Sequence, residues 1–347
     1  MTTTPTPAAL HDVISALAFG RTLAQDEVTA AFDVVMRGDA SPVQIAALLT
    51  GLRTRGESAD VVAGAARALR RAMVHLDLPD AGGAVDTCGT GGGAVGTFNI
   101  STAAALVAAG AGVRIAKHGN RSFTSRSGSA DVLEALGVSV DVSLDAMRHA
   151  FETAGIVFMY APRMHPAMRH VGPVRRELAV PTVMNVIGPL ANPASVGRQV
   201  IGVADAGRVG VIAEALAALG TIHSLVVHGE PGMDEISPLG DTRVLEVQGS
   251  DVTEWVITPA MIGSVGASAA DLLGGSPAEN AALVEACLAG AAPAGAIAAV
   301  VANAGAAVYV AGLVPSYMEG VDAARAAVAD GSATAALRRL RRALRRA

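Results

Sequence analysis

The segment Gly89-Thr90-Gly91-Gly92-Gly93-Ala94-Val95-Gly96 places five glycines in eight residues, just ahead of Thr97-Phe98-Asn99-Ile100-Ser101-Thr102. Such a run leaves backbone N–H groups free to converge on an anion, and a helix starting behind it adds partial positive charge. No Gly-Lys-Ser/Thr closes the run, so it is not the phosphate loop of nucleotide hydrolases. Gly89-x-Gly91-x-x-Ala94 fits a loose dinucleotide fingerprint, but that fingerprint needs an acid about 20 residues further on to hold a ribose. No Asp or Glu occurs from Thr87 to Ala130. The same acid-free stretch carries Arg114, Lys117, His118, Arg121 and Arg126. Cations without nearby acids, beside glycine amides, fit a strongly anionic ligand.

A second loop, Lys117-His118-Gly119-Asn120-Arg121-Ser122-Phe123-Thr124-Ser125, follows a strand-like run. A third, His228-Gly229-Glu230-Pro231-Gly232-Met233-Asp234-Glu235-Ile236-Ser237, brings adjacent carboxylates. Alone, Asp234-Glu235 reads as a surface turn. Beside two anion-binding loops it becomes a candidate for Mg2+, a hard cation that takes oxygen ligands and shares them with phosphates. Together the three loops suggest phosphate chemistry, or diphosphate as a leaving group.

The elements around them read in two textures. Up to about residue 78 the pattern is helical. A helix spans about 24–36. Ser41-Pro42 caps another, with Ile45, Leu48, Leu49 and Leu52 at helical spacing, and Ser58 caps a third running to about Val74. After Pro79-Asp80-Ala81-Gly82-Gly83, short β-rich runs at 84–86, 113–116, 156–159, 199–203 and 225–228 alternate with helical runs at 101–110, 129–136 and 207–218. That alternation predicts an α/β domain with sites beyond the carboxyl ends of its strands. The expected division is residues 1–78 as a small helical domain and 79–347 as the large one.

Composition narrows the class. Half the residues are apolar (51%), which excludes a disordered chain. A net charge of −5 with only 3% aromatics disfavours nucleic acid as a partner. Cys88 and Cys287 are too few for a disulfide framework or a cysteine zinc site, and no signal-peptide pattern is visible, so the expected location is the cytoplasm. Cys287 to Pro315 carries no charge. Its Ala/Gly composition, Pro293 and missing basic flanks read as a buried helix over about 294–311, and no membrane contact is expected. The arginine-rich end, 338–346, reads as a basic amphipathic helix with a solvated face.

Gly89-Thr90-Gly91-Gly92, Thr97 to Thr102, Lys117 to Arg121 and Gly128-Ser129-Ala130-Asp131-Val132-Leu133-Glu134 resemble the anthranilate phosphoribosyltransferases. So do His165-Pro166-Ala167-Met168, Pro173-Val174-Arg175, Asn185 to Pro193, and His228-Gly229 with Asp234 to Ser237. The resemblance implies a mainly parallel sheet of nucleoside phosphorylase/phosphoribosyltransferase type, with helices from about 172–192 joining the small domain. It implies transfer of phosphoribosyl from phosphoribosyl diphosphate to the amine of anthranilate, with Mg2+, in a homodimer. Carried over, Gly89, Gly92, Gly93 and Thr97 bind diphosphate. Asn99, Ile100, Ser101 and Thr102 hold phosphoribosyl diphosphate, and Ser101 ligates Mg2+ with Asp234 and Glu235. Lys117, His118, Gly119, Asn120, Arg121, Ser122, Phe123, Thr124 and Ser125 wrap phosphates and ribose, with Ser129 alongside. Asn120 and Arg175 contact anthranilate, and His118 lines its path. No side chain is implied as acid or base; His118, Asn120 and Arg175 position.

The chain departs from the family pattern at Gly93-Ala94, where most members have Asp-Gly, and at Met184, where Phe is commoner. Pyrimidine nucleoside phosphorylases combine similar domains, but their lysine-containing loop reads differently and Asp234-Glu235 points to a metal-bound diphosphate. A nucleic-acid-binding paralogue on the same fold is favoured only by the tail arginines.

Overall fold

The computed structural model describes residues 8–121 and 126–345. The strands are β1 Val85–Gly89, β2 Ile115–Gly119, β3 Ile156–Tyr160, β4 Arg198–Gly202, β5 His223–Gly229, β6 Thr242–Gln248 and β7 Asp251–Ile257. They form one seven-stranded sheet in the order β3-β2-β1-β4-β5-β6-β7. β1 to β5 are parallel; β6 and β7 extend the sheet antiparallel. The chain winds outward from β1 to β3, then returns to lay β4 against the other side of β1. Ligands of such sheets bind where the winding reverses, and here that point is flanked by the loops that leave β1 and β4.

β6 and β7 are strands that the sequence pattern leaves unread. Thr242-Arg243-Val244-Leu245-Glu246-Val247-Gln248 breaks its alternation at Leu245-Glu246, and Glu246 faces a buried polar cluster instead of water. β2 begins two residues later than the 113–116 run and carries Lys117 and His118 into the sheet. Pairing with β1 and β3 on both sides buries them. The helix Ala8–Ala18 is likewise unforeseen; it packs on Gln25–Arg37 and Pro42–Arg55.

The expected helix starts are present. Ser41 Oγ accepts from Gln44 N at 3.3 Å while Gln44 Oε1 accepts from Ser41 N at 2.9 Å, a reciprocal cap. Ser58 Oγ accepts from Val61 N at 3.4 Å. These helices share a core with Met168–Leu178, through Phe32, Leu48, Leu49, Val171 and Ile187. That core runs on through Val209–Ala218 to one sheet face, at Ile201, Val226 and Leu245. The other face is covered by Ile100–Gly110, Ala294–Val310 and Ser332–Ala343.

The uncharged run forms the 17-residue helix Ala294–Val310, buried along most of its length. Among the described residues no helix is long and apolar enough to cross a membrane. The arginine-rich helix Ser332–Ala343 buries Ala333, Ala336, Leu337 and Leu340 and turns Arg338, Arg339 and Arg342 to solvent.

Glu246 collects four donors on one carboxylate. Oε1 accepts from Tyr309 Oη at 2.7 Å, His223 Nε2 at 2.8 Å and Gln248 Nε2 at 2.8 Å, and Oε2 accepts from Trp255 Nε1 at 2.9 Å. Burial pushes this carboxyl up, but the hydrogen bonds from Tyr309, Gln248 and His223 outweigh it and hold it below the usual glutamate range. Its stabilisation is therefore full above the ordinary value and fades as pH falls through the folded one. Glu246→Ala is expected to cost about 3 kcal/mol at neutral pH, since buried donors lose their acceptor. Thermal unfolding should show the gap between variant and wild type narrowing as pH falls below the ordinary glutamate range.

Candidate active site

The glycine loop departs from the end of β1 and is shaped by one pair of carboxylates. Gly91 and Gly92 take left-handed φ values of 72° and 82°, a turn that glycine makes at least cost. The turn lets Gly91 N donate to Asp234 Oδ2 at 2.8 Å. A Cβ on Gly89 would lie 2.5 Å from the same oxygen, and one on Gly202, at the end of β4, 1.7 Å from the Asp234 carbonyl oxygen. Bare backbone at both strand ends is what admits the Asp234 segment. Glu235 Oε1 accepts from Ser101 N at 3.1 Å, at the start of the helix Ile100–Gly110, where the helix dipole favours an anion.

Asn303 explains the lone polar group in the buried helix. Its Oδ1 accepts from Ile236 N at 3.0 Å, and its Nδ2 donates to Ile236 O at 3.1 Å. The residue beside Glu235 is thus pinned from beneath. Burial pushes the carboxyls of Asp234 and Glu235 above their ordinary values, and for Glu235 the neighbouring Asp234 charge adds to it. Hydrogen bonds from Gly91 and Ser101, and the charge of Lys117, only partly offset this. Two part-buried, under-compensated carboxylates could be offset by a cation.

These groups face a cleft of about 520 Å³ lined by Gly91 to Gly93, Gly96 to Ser101, Arg126, Ser127, Asp234 and Glu235, and also by Gly274, Gly275 and Asn280. Among the described residues no group of three or more His, Cys, Asp or Glu converges to hold a metal. A hard cation bound at Asp234 and Glu235 would complete its shell with phosphate oxygens and water. Ile100 and Thr102 are buried, so their side chains lie in the core.

Lys117 takes a supporting place. Its buried ammonium donates to the Thr87 carbonyl and to Ser101 Oγ, the latter at 3.2 Å, beneath the loop. Arg121 turns away from both clefts: its guanidinium holds Asp131 at 2.8 Å, Glu134 at 2.8 Å and Tyr160 Oη at 3.2 Å. Ser129 Oγ donates to the Asn120 carbonyl at 3.1 Å, bracing the second loop. A Cβ on Gly119 would lie 2.3 Å from that hydroxyl oxygen, which accounts for glycine there. Ser122, Phe123, Thr124 and Ser125 lie outside the described residues.

A second cleft of about 570 Å³ opens between the end of β2 and the helical lobe, lined by His118, Asn120, His165, Arg169, Arg175 and Met184 among others. His118 and His165 meet Nε2 to Nε2 at 3.1 Å. Burial, then the His165 neighbour, lowers His118 to about 3, and burial lowers His165 to about 4, so both rings are neutral. Arg175 sits half-buried without a carboxylate partner among the described residues, and burial lowers its pKa. An unpaired guanidinium over a neutral wall suits an aromatic carboxylate. His165 appears in the sequence only within the His165-Pro166 motif. Gly274, Gly275 and Asn280 are missed altogether, although a Gly-Gly pair before the Ser276-Pro277 cap marks a turn at a helix start.

The glycosyl transferase family a/b domain matches residues 81–334, and that family's helical bundle domain matches 11–73. The chain is 50% identical to an anthranilate phosphoribosyltransferase of Rubrobacter xylanophilus, over 97% of this chain and 98% of the relative. A Caulobacter enzyme of the same name is 46% identical over 95% and 94%. The crystal structure of the Thermus thermophilus anthranilate phosphoribosyltransferase superposes with a TM-score of 0.90 at 43% identity, covering 96% of this chain and 99% of that one. The Saccharomyces cerevisiae enzyme in complex with phosphoribosyl diphosphate and Mg gives 0.86 at 28% identity, covering 97% and 98%.

Gly93 keeps an ordinary backbone, and its Cβ would lie 3.2 Å from both Asp234 Oδ1 and the Gly232 carbonyl oxygen. An aspartate there would join the carboxylate pair. With Mg2+ saturating, Gly93→Asp is expected to leave turnover within about tenfold, roughly 1.4 kcal/mol. Steady-state kinetics checks this; a hundredfold gain would mean that the native glycine cripples the site.

Proposed function

The chain belongs to the anthranilate phosphoribosyltransferases, which convert anthranilate and phosphoribosyl diphosphate to N-(5-phosphoribosyl)anthranilate and diphosphate in tryptophan biosynthesis, and we propose that its two clefts divide that reaction between them. The first takes phosphoribosyl diphosphate: amides of the glycine loop, Thr97, Asn99 and the helix start at Ser101 receive the phosphates. Asp234 and Glu235 hold Mg2+ together with the Ser101 hydroxyl, which keeps a second lone pair free beside its contact with Lys117. When bound, the metal neutralises charge on the departing diphosphate. The second cleft takes anthranilate, with Arg175 on its carboxylate and Asn120 and the neutral His118 along the ring.

The observation that carries this reading is the part-buried, under-compensated Asp234-Glu235 pair beside the glycine loop, one cleft away from an arginine without a carboxylate partner among the described residues. The ribose C1–oxygen bond breaks and diphosphate leaves with the electron pair. The anthranilate nitrogen bonds to C1 and then sheds its proton. The protein's part is to place the amine near C1 and to stabilise the leaving charge with preorganised groups. No nucleic-acid partner enters the reaction. The reducing cytoplasm suits the free thiols Cys88 and Cys287.

The helical lobe leaves Val43 78% exposed, beside a shallow groove formed with Pro42, Ala46, Val174 and Leu178. Phe19, on the same lobe, is 88% exposed. Exposed apolar groups of this size fit a homodimer contact.

Loss of anthranilate fluorescence should require both phosphoribosyl diphosphate and Mg2+ and should stop with EDTA. Arg175→Ala should raise the anthranilate KM about tenfold or more while the KM for phosphoribosyl diphosphate holds, because a charge-assisted contact is lost. An unchanged anthranilate KM would sink the assignment of the second cleft. Val43→Glu is expected to shift the sedimenting species from dimer to monomer; a native protein that sediments as a monomer would refute the dimer.

A further inference from the structure

Asn99, at the foot of the phosphate cleft, has both ends of its carboxamide engaged. Nδ2 donates to the Ser127 carbonyl at 3.1 Å; Oδ1 accepts from Asn280 Nδ2 at 2.9 Å and from Ser127 Oγ at 3.3 Å. Asn280 arrives 181 positions later, on the helix Pro277–Leu288, and is only 3% exposed. Its own Oδ1 accepts from Gly275 N at 2.6 Å. Gly275 ends a strap laid along the phosphate loop. Phe98 N donates to Leu272 O at 2.9 Å, Gly274 N to Gly96 O at 2.9 Å, and Thr97 pairs with Leu273 as an antiparallel bridge. A Cβ on Gly274 would lie 2.5 Å from the Thr97 carbonyl oxygen, so the strap sits flush on the loop.

These contacts fix the direction of two amides in series. The Gly275 N–H requires an acceptor, so the Asn280 oxygen faces the strap and its NH2 faces Asn99. Asn99 must then answer with its oxygen, which turns its own NH2 to the Ser127 carbonyl and leaves one N–H for the cleft. Reversed, Asn99 would turn its oxygen where an anion is to bind.

We infer that Asn280 is a positioning residue of the phosphoribosyl diphosphate site, acting through Asn99 to present an N–H donor to the ligand and locking strap 272–275 onto the glycine loop. The inference rests on the reading that Asn99 faces phosphoribosyl diphosphate. The ligand never needs to touch Asn280.

The test is a kinetic double-mutant cycle with Asn99→Ala and Asn280→Ala, joined by Asn280→Asp. The aspartate keeps the volume and the acceptor for Gly275 but cannot donate to the Asn99 oxygen. Asn280→Ala and Asn280→Asp should each raise the KM for phosphoribosyl diphosphate about tenfold, with the anthranilate KM within about twofold, because displacing a contact group costs most at the ligand it meets. The double alanine variant should cost no more than Asn99→Ala alone, since residues acting as a unit are not additive. Thermal melting reports whether each variant is folded, and the isosteric aspartate decides if the alanine unfolds. Additive costs, or an unmoved KM in Asn280→Asp while Asn99→Ala is impaired, would overturn the inference. A wild-type KM in Asn99→Ala would instead overturn the underlying assignment of the cleft, and the inference with it.

Discussion

Two part-buried, adjacent carboxylates, Asp234 and Glu235, set the terms for the rest of the molecule. Burying charge costs several kcal/mol per ion unless hydrogen bonds and opposite charge offset it. The fold supplies part of that offset. Gly91 and Ser101 give backbone N–H groups, Lys117 gives charge, and Asn303 fixes Ile236 behind the pair. Room for the segment comes from Gly89 and Gly202, where any side chain would collide with Asp234. These demands can be met together only where β1 and β4 end side by side, at the point where the winding of the sheet reverses. The remaining offset is left to whatever the cleft binds.

Much of this could be read from residue order. The Ser41-Pro42 and Ser58 caps of the helical lobe stand as read, while Gly89 to Gly96 reads as an anion loop and Asp234-Glu235 as a cation candidate only beside it. What escaped was set by partners far away in the chain. Asn280 looks like any polar residue in a helix until the fold brings it to Asn99. Asn303 looks like an accident in an apolar run until Ile236 lies beneath it. Direction was equally hidden. Lys117 and Arg121 carry the charge expected of a phosphate site, but burial in β2 turns the lysine under the loop, and Asp131 with Glu134 draws the arginine away. Residue type suggests the chemistry of the neighbourhood; packing decides which groups face the cleft.

The helical lobe adds a surface of different character. Met168–Leu178 belongs to its core through Val171 and Val174, yet extends Arg169 and Arg175 over the end of β2. Opposite stand two imidazoles that burial keeps uncharged. A cationic group beside a neutral, partly apolar wall would suit a flat ring bearing one negative charge. The first cleft, lined by the glycine loop and two acids, would suit a metal-bound polyanion. The first cleft belongs to the α/β lobe, whereas the second is shared between that lobe, through His118 and Asn120, and the helical one, through Leu69, Arg169 and Arg175.

The sign of the charge in the first cleft decides what it can accept. Among the described residues lining it, Asp234 and Glu235 are the acids and Arg126 the one charged base, with Lys117 below. A bare diphosphate approaching two carboxylates would meet repulsion that the glycine amides only partly relieve. A bare divalent cation would find two protein carboxylates, fewer oxygens than its shell requires. A metal-bound polyanion would meet both deficits at once, and with glycine at position 93 it would face two carboxylates where an aspartate would make three.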